Sequence, residues 1–182
     1  MTKGKQVALL RGINVGRAKR VAMADLRALV EGLGYSDVRT LLNSGNIVFT
    51  VPKAVKGDAA FRIEESLATK LGISARVTVL MASELAAIVE DNPLLEIAND
   101  PSRLLVAVLN DKTDKKRLEP LLKQDWAPDV LAIGERVAYV WCSEGILASR
   151  LAEAIGRVLR DAATTRNWAT ILKLHALTKD QK

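Results

Sequence analysis

Val38 to Leu42 and Ile47 to Thr50 are β-rich runs with only Asn43-Ser44-Gly45-Asn46 between them. Two such runs across a polar, glycine-containing link read as a hairpin. What flanks the hairpin narrows the fold further. Before it, Met23, Leu26, Leu29, Val30 and Leu33 recur at spacings of three and four, which predicts an amphipathic helix over Met23 to Gly32, stopped by Gly32 and Gly34. After it, Phe61, Ile63, Leu67 and Leu71 predict a second helix, ended by Gly72. Gln6 to Ile13 reads as a strand, and Ala75 to Leu80 alternates as a strand does. The order βαββαβ is that of a ferredoxin-like domain. An antiparallel hairpin at its centre opposes the parallel crossovers of a dinucleotide-binding fold.

The second half repeats the pattern of elements without repeating residues. Ser83 is placed to cap a short helix through Glu90, and Asp91-Asn92-Pro93 with Asn99-Asp100-Pro101-Ser102 marks a boundary. Leu104 to Leu109 is strand-like. Thr113 to Leu122 reads as a helix, and Val130 to Ile133 with Val137 to Cys142 flank Gly134-Glu135 as a hairpin. Leu147, Leu151, Ile155, Val158 and Leu159 mark another helix. A last helix is expected to open at Thr164-Thr165-Arg166-Asn167-Trp168 and to run to about Leu177. The fold class is therefore α+β with two subdomains. The first is ferredoxin-like over residues 1–82, and a connecting helix and linker cover 83–101. The second, over 102–182, is a βαββα variant ending in helices.

The strongest functional cue is Arg11-Gly12-Ile13-Asn14-Val15-Gly16, a strand-to-helix loop followed by Arg17, Lys19 and Arg20. Glycines are cheap in a loop that bends sharply or approaches something closely. Residues 1–20 carry Lys3, Lys5, Arg11, Arg17, Lys19 and Arg20 and no acid, within a chain of formal net charge +6. The C-terminal segment adds Arg150, Arg157, Arg160, Arg166, Lys173, Lys179 and Lys182. Cations so placed suit a phosphate or polyanion partner, although a solvated basic surface would look the same. Antiparallel pairing of the first and third strands would set Arg11 and Asn14 beside Ser44 and Asn46. In a purely structural reading, Gly12, Gly16 and Gly45 serve turns, with Asn14 and Asn46 at positive φ. At the far end, a threonine cap with Arg166 in the first helical turn would form a second anion site, with Asn167 beside it and Lys173 two turns on. Arg11 and Arg166 are expected to face one polar cleft.

Several chemistries fail on residue counts. One histidine, His175, and one cysteine, Cys142, are too few for the usual zinc sites, so no metal is expected. His175 shares an apolar stripe with Trp168, Ile171 and Leu172, where a core role outweighs catalysis. Cys142 ends a β-rich run and reads as buried. No phosphate-loop motif is present. Base stacking on a sheet needs aromatics, and these make up 4 % of the chain. The N-terminus lacks the apolar core of a signal peptide, and no apolar run reaches the length of a membrane span. A cytoplasmic protein with no membrane partner is expected.

Ala8-Leu9-Leu10-Arg11-Gly12-Ile13-Asn14-Val15-Gly16, Met23-Ala24-Asp25-Leu26-Arg27, Ser44-Gly45-Asn46-Ile47-Val48-Phe49 and Thr165-Arg166-Asn167-Trp168 with Lys173-Leu174 resemble the bacterial "domain of unknown function 1697" family. The resemblance implies two α+β subdomains, the first ferredoxin-like, and it implies no activity. The chain departs from it at Arg17-Ala18-Lys19-Arg20, where a glycine-rich turn is the family expectation. Three functions follow as expectations. One is binding of an anionic small molecule, nucleotide or nucleic-acid backbone at Arg11, Asn14, Ser44, Asn46, Arg166, Asn167 and Lys173. Another is an enzyme acting on a phosphorylated or nucleotide-like substrate. The third is an assembly module without a ligand. No general base stands out, since Asp25 and Glu31 read as helix-surface residues, so binding ranks first. Cofactor and oligomeric state are not legible.

Overall fold

The computed structural model describes residues 4–17 and 19–179. Lys3 and Lys182, counted above among the basic ends, lie outside the described residues. The chain is α+β, with two four-stranded antiparallel sheets. It divides into two units. The first comprises Met1–Leu85 with Leu174–Lys182, and the second Ala86–Lys173.

The first unit contains β1 (Lys5–Leu10), α1 (Met23–Gly32), β2 (Ser36–Leu41), β3 (Asn46–Thr50), α2 (Ala59–Leu71) and β4 (Val77–Met81). Its sheet order is β2-β3-β1-β4. β1 and β3 are central, and Val7 to Leu10 and the whole of β3 are buried on both faces of the sheet. The two strands run antiparallel with Leu9 opposite Asn46, so the end of β1 lies beside the start of β3. The predicted helical periods place Leu26, Leu29 and Val30 of α1 and Ile63 and Leu67 of α2 in the core, with Ala8, Leu10, Ile47 and Phe49 of the sheet. Asp58 caps α2 by accepting from the Phe61 amide at 3.0 Å, and Gly72 ends it at φ 65°. Phe61, expected on the apolar face, is instead exposed. It lies two residues before Ile63, about 200° away around an ideal helix.

The second unit takes the latter part of α3 (Ala82–Glu90), then β5 (Leu104–Leu109), α4 (Glu119–Leu122), β6 (Val130–Ile133), β7 (Val137–Trp141), α5 (Arg150–Leu159), β8 (Ala163–Asn167) and the start of α6 (Trp168–Lys179). Its sheet order is β6-β7-β5-β8, with β5 buried along its whole length. Three expectations are corrected here. Thr113 to Leu122 is not one α-helix. Lys112–Leu118 is 3-10, capped by Asp111, and only Glu119–Leu122 is α-helical. Pro120, in the first turn of α4, has no N–H to carry an α-helix through from the preceding turn. Leu147 does not begin α5. It is fully exposed in a 3-10 turn, and the helix starts after Ser149, whose Oγ accepts from the Ala152 amide at 3.0 Å. Thr164 does not begin the last helix. Residues 163–167 form β8, so a strand takes the sixth place and the helix follows at Trp168. β-Branched Thr164 and Thr165 favour a half-buried strand, and β8 pairs with β5 from Leu105↔Asn167 to Leu109↔Ala163. Among the described residues, no helix is long and apolar enough to cross a membrane.

Candidate functional site

Arg11, Asn14, Ser44 and Asn46 belong to the first unit. β1 stops at Leu10, so Arg11 leaves the strand rather than ending it. The Leu10 amide donates to the Gly45 carbonyl and the Arg11 amide to the Arg76 carbonyl, both at 2.9 Å. Gly12, Asn14, Gly16 and Lys19 then take left-handed φ values of 71°, 54°, 61° and 51°. The chain coils back on itself, and the Asn14 amide donates to the Lys19 carbonyl at 3.1 Å. Ile13 is buried in the core of the unit and pins the loop from beneath.

Asn14 fastens this loop to its neighbours. Its Nδ2 donates to Val21 O at 2.9 Å and to Asn43 O at 2.8 Å, and its Oδ1 accepts from the Val21 amide at 2.8 Å. Both amide hydrogens are therefore spent inside the protein. Asn46 is similar. It is fully buried, and its Nδ2 donates to Leu41 O at 3.0 Å and Ser44 Oγ at 2.9 Å. Asn46 lies in β3 and does not take positive φ. In the turn before it, Leu42 (58°) and Gly45 (83°) do. A Cβ on Gly45 would sit 2.7 Å from Leu10 Cβ and 2.8 Å from Ile13 Cδ1, so the strand end and the turn meet in glycine-only contact. The solvent side of the loop is cationic. Arg11, Arg17, Lys19 and Arg20 are exposed there, and Ser44 is exposed on the turn. Arg76 is also beside Arg11 through the backbone, with its guanidinium 3.9 Å from Glu64.

Arg166 and Asn167 lie in β8 of the second unit, and Lys173 in α6. Arg166 is opposite Val106 in the ladder, not in a first helical turn. Its guanidinium donates to Thr165 O at 2.8 Å, and burial lowers its pKa to about 10. By surface area Arg166 is only half-buried, so it keeps its charge at neutral pH. Asn167 is the cap of α6, accepting from the Thr170 amide at 2.9 Å, and Thr164 is buried in the sheet. Lys173 is exposed. With Arg166 outside the helix, the expected shared face across two helical turns does not exist. Strand propensity and a threonine cap look alike in Thr-Thr-Arg-Asn, and the ladder to β5 decided between them.

The family described as "Protein of unknown function (DUF1697)" matches residues 3–139. The chain belongs to the DUF1697 family. The match reaches Arg11, Asn14, Ser44 and Asn46 but stops short of Arg166, Asn167 and Lys173. Among solved structures, this DUF1697 chain is similar to "conserved bacterial protein SP0830 from Streptococcus pneumoniae", at 24 % identity and a TM-score of 0.78, over 98 % of this chain and 99 % of that one. That likeness speaks to the fold alone. No curated protein matches the chain.

The DUF1697 chain also holds polar features that its sequence did not reveal. Asp129 accepts three hydrogen bonds, from the Ser143 amide and hydroxyl, both at 2.9 Å, and from Ser149 Oγ at 2.7 Å. Ser149 before an apolar-periodic run is legible as a cap, but Asp129 is 20 residues away from it and could not be paired by eye. Around Asp129 lies an open cleft of about 180 Å³, lined by Asp125, Trp126, Pro128, Glu144 and Arg150 among others. Ser149 donates to a carboxylate and accepts a helix amide, so its hydroxyl is engaged as a cap rather than presented as a nucleophile. Tyr139 is buried, with its hydroxyl donating to Ile88 O at 2.7 Å. His175 is buried as expected of a core histidine, on α6 within the first unit. Among the described residues, no three His, Cys, Asp or Glu side chains are grouped to hold a metal ion.

Proposed function

We propose that the chain binds an anionic ligand, the phosphates of a small molecule, a nucleotide or a nucleic-acid backbone, on the loop that follows β1. The observation that carries this reading is the division of labour within the loop. Asn14 and Asn46 spend their amides inside the protein, on Val21 O, Asn43 O, Leu41 O and Ser44 Oγ, while Arg11, Arg17, Lys19 and Arg20 are exposed at the loop surface and residues 1–20 contain no acid. A rigid loop lowers the entropy cost of presenting cations together. Ser44, exposed at the adjoining turn, supplies a hydroxyl to a phosphate oxygen. Arg166, Asn167 and Lys173 are not part of this loop, and Asn167 is committed to its cap. The frame carrying the loop is, on this reading, a ferredoxin-like sheet, supported by the βαββαβ order and the antiparallel β2-β3-β1-β4 arrangement. A reducing, cytoplasmic setting suits the single buried thiol.

Binding of a fluorescein-labelled single-stranded oligonucleotide, with tripolyphosphate as competitor, tests the reading. Affinity should fall with salt, with a log–log slope of about −3 if four cations each contribute roughly −0.7. Replacing Arg17, Lys19 and Arg20 together by alanine should flatten that slope. Absence of binding at ~50 mM salt to both oligonucleotide and tripolyphosphate would rule the reading out.

A further inference from the structure

The two sheets end in four edges, β2, β4, β6 and β8, and three of them carry features that interrupt or occupy the edge. β2 has a register shift between Ser36 and Arg39, with Asp37 at φ 50°, the kind of irregularity that keeps an edge from pairing further. β4 has the amides at its two ends engaged by carboxylates, Val77 N by Glu64 and Met81 N by Glu84, both at 2.8 Å. On β8, the outward-facing Thr165 carbonyl is taken up by the Arg166 guanidinium at 2.8 Å. β6 is different. It reads Val130-Leu131-Ala132-Ile133, with no charge, proline or bulge, and among the described residues it pairs only with β7.

The register says which backbone groups of β6 are open. Gly134 N donates to Val137 O at 2.8 Å to close the hairpin. Hydrogen-bonded and non-bonded pairs alternate along an antiparallel ladder, so Ala132↔Tyr139 and Val130↔Trp141 are the bonded pairs. Leu131 and Ile133 then turn their N–H and C=O groups away from β7. The same alternation turns Asp129 outward, and its amide is indeed taken up by Trp126 O at 2.9 Å. Leu131 and Ile133 have no such partner among the described residues. Directly before the strand, Pro128 and Asp129 line the cleft with Asp125, Trp126, Glu144 and Arg150. Three carboxylates against one guanidinium make that cleft acidic in a chain whose formal net charge is +6.

We propose that β6 receives an extended peptide as a fifth, antiparallel strand, with a basic side chain of that peptide entering the adjoining acidic cleft. Leu131 and Ile133 offer two donors and two acceptors, and main-chain pairing of this kind supplies affinity while a side-chain pocket supplies specificity. The cleft matches an arginine or lysine. Asp125 and Glu144 are exposed carboxylates, and the Trp126 ring, held by its Nε1 donating to Leu121 O at 2.8 Å, offers a face for a cation. Polarity is fixed as well. A strand antiparallel to β6 reaches Asp129 and Pro128 only after passing Leu131, so the basic residue follows the paired residues in the peptide sequence. A second copy of this chain fits less well. Two-fold pairing centred on Ala132 would join Leu131 to the second copy's Ile133, but it would set Asp129 opposite the second copy's Glu135, like charge against like.

The test uses the full chain and the fluorescein-labelled peptide acetyl-Thr-Val-Thr-Val-Gly-Arg-Lys-amide. The expected result is saturable binding that weakens about tenfold or more in the Asp125→Lys, Glu144→Lys double variant. Both replaced residues are exposed, and an unchanged melting temperature would show that the variant is folded. Amide exchange by NMR should slow at Leu131 and Ile133 on peptide addition and stay unchanged at Ala132, which already pairs with Tyr139. The proposal is overturned if the peptide does not bind, if the double variant binds as well as the parent, or if a peptide with Arg-Lys at its start binds equally. It is also overturned if the two amides gain protection with protein concentration alone, since a second copy would then own the edge.

Discussion

Cys142 and Tyr139 stand three residues apart, both sealed from solvent, and burial acts on each in the same direction. Burial pushes the Cys142 thiol above its ordinary range. A hydrogen bond with Ser149 partly offsets this, and nearby Asp129 adds to the rise. A soluble disulfide reagent should therefore label Cys142 only as fast as the fold opens, because the thiolate is both scarce and shielded. Labelling of the native protein at the unfolded rate would place the thiol at the surface. Burial also raises the Tyr139 phenol to about 12, and Asp91 adds to the rise. The sign follows from linkage. A group whose folded pKa lies above its unfolded value of 10.0 contributes stability that is complete below that value and is lost as pH rises through the folded one. Tyr139→Phe should cost about 1–2 kcal/mol at neutral pH by leaving Ile88 O without its donor. Urea melts between about pH 10 and 12 should bring parent and variant together, and curves that stay parallel would contradict that coupling.

At the scale of elements, the joint between the β1–α1 loop and the β2–β3 turn is the feature most open to disruption. Asn14→Ala removes two donors and one acceptor and also leaves a left-handed φ to a residue that resists it. The expected loss is about 2 kcal/mol. Gly45→Ala should cost at least about 2 kcal/mol, since its methyl group would overlap Leu10 and Ile13 at positive φ. Thermal melts of both variants without ligand check this, and unchanged melting temperatures would mean the joint is dispensable. The joint also shows what could be read from sequence. The hairpin and the helical face of α1 follow from local periodicity and turn chemistry, and the antiparallel approach of β1 to β3 from the order of elements, whereas on α2 the period found Ile63 and Leu67 but misplaced Phe61 and Leu71. Asn14 and Asn46 stand out in the sequence, but sequence could not say whether their amides face a ligand or the protein's own carbonyls. That depends on carbonyls such as Asn43 O, which lies 29 residues from Asn14. β8 was missed for a related reason. Thr164 and Thr165 suit a cap and a strand equally, and only pairing with distant β5 separates the two. Asp129 was missed because its partners arrive from two later segments.

At the scale of the whole molecule, a net charge of +6 with a cation-only start predicts retention on heparin that is lost as salt rises. Early elution of the parent chain in low salt would contradict it. The first unit begins at the N-terminus, yet it includes Leu174–Lys182, with all of Ala86–Lys173 in between. Synthesis proceeds from the N-terminus, so the half made first is the half completed last. While the ribosome adds the intervening residues, β1 to β4 wait for their final segment, a window in which a chaperone could act. His175, the single histidine, is buried within that late segment, so the arrival of one imidazole resonance at its native shift would time the closing step.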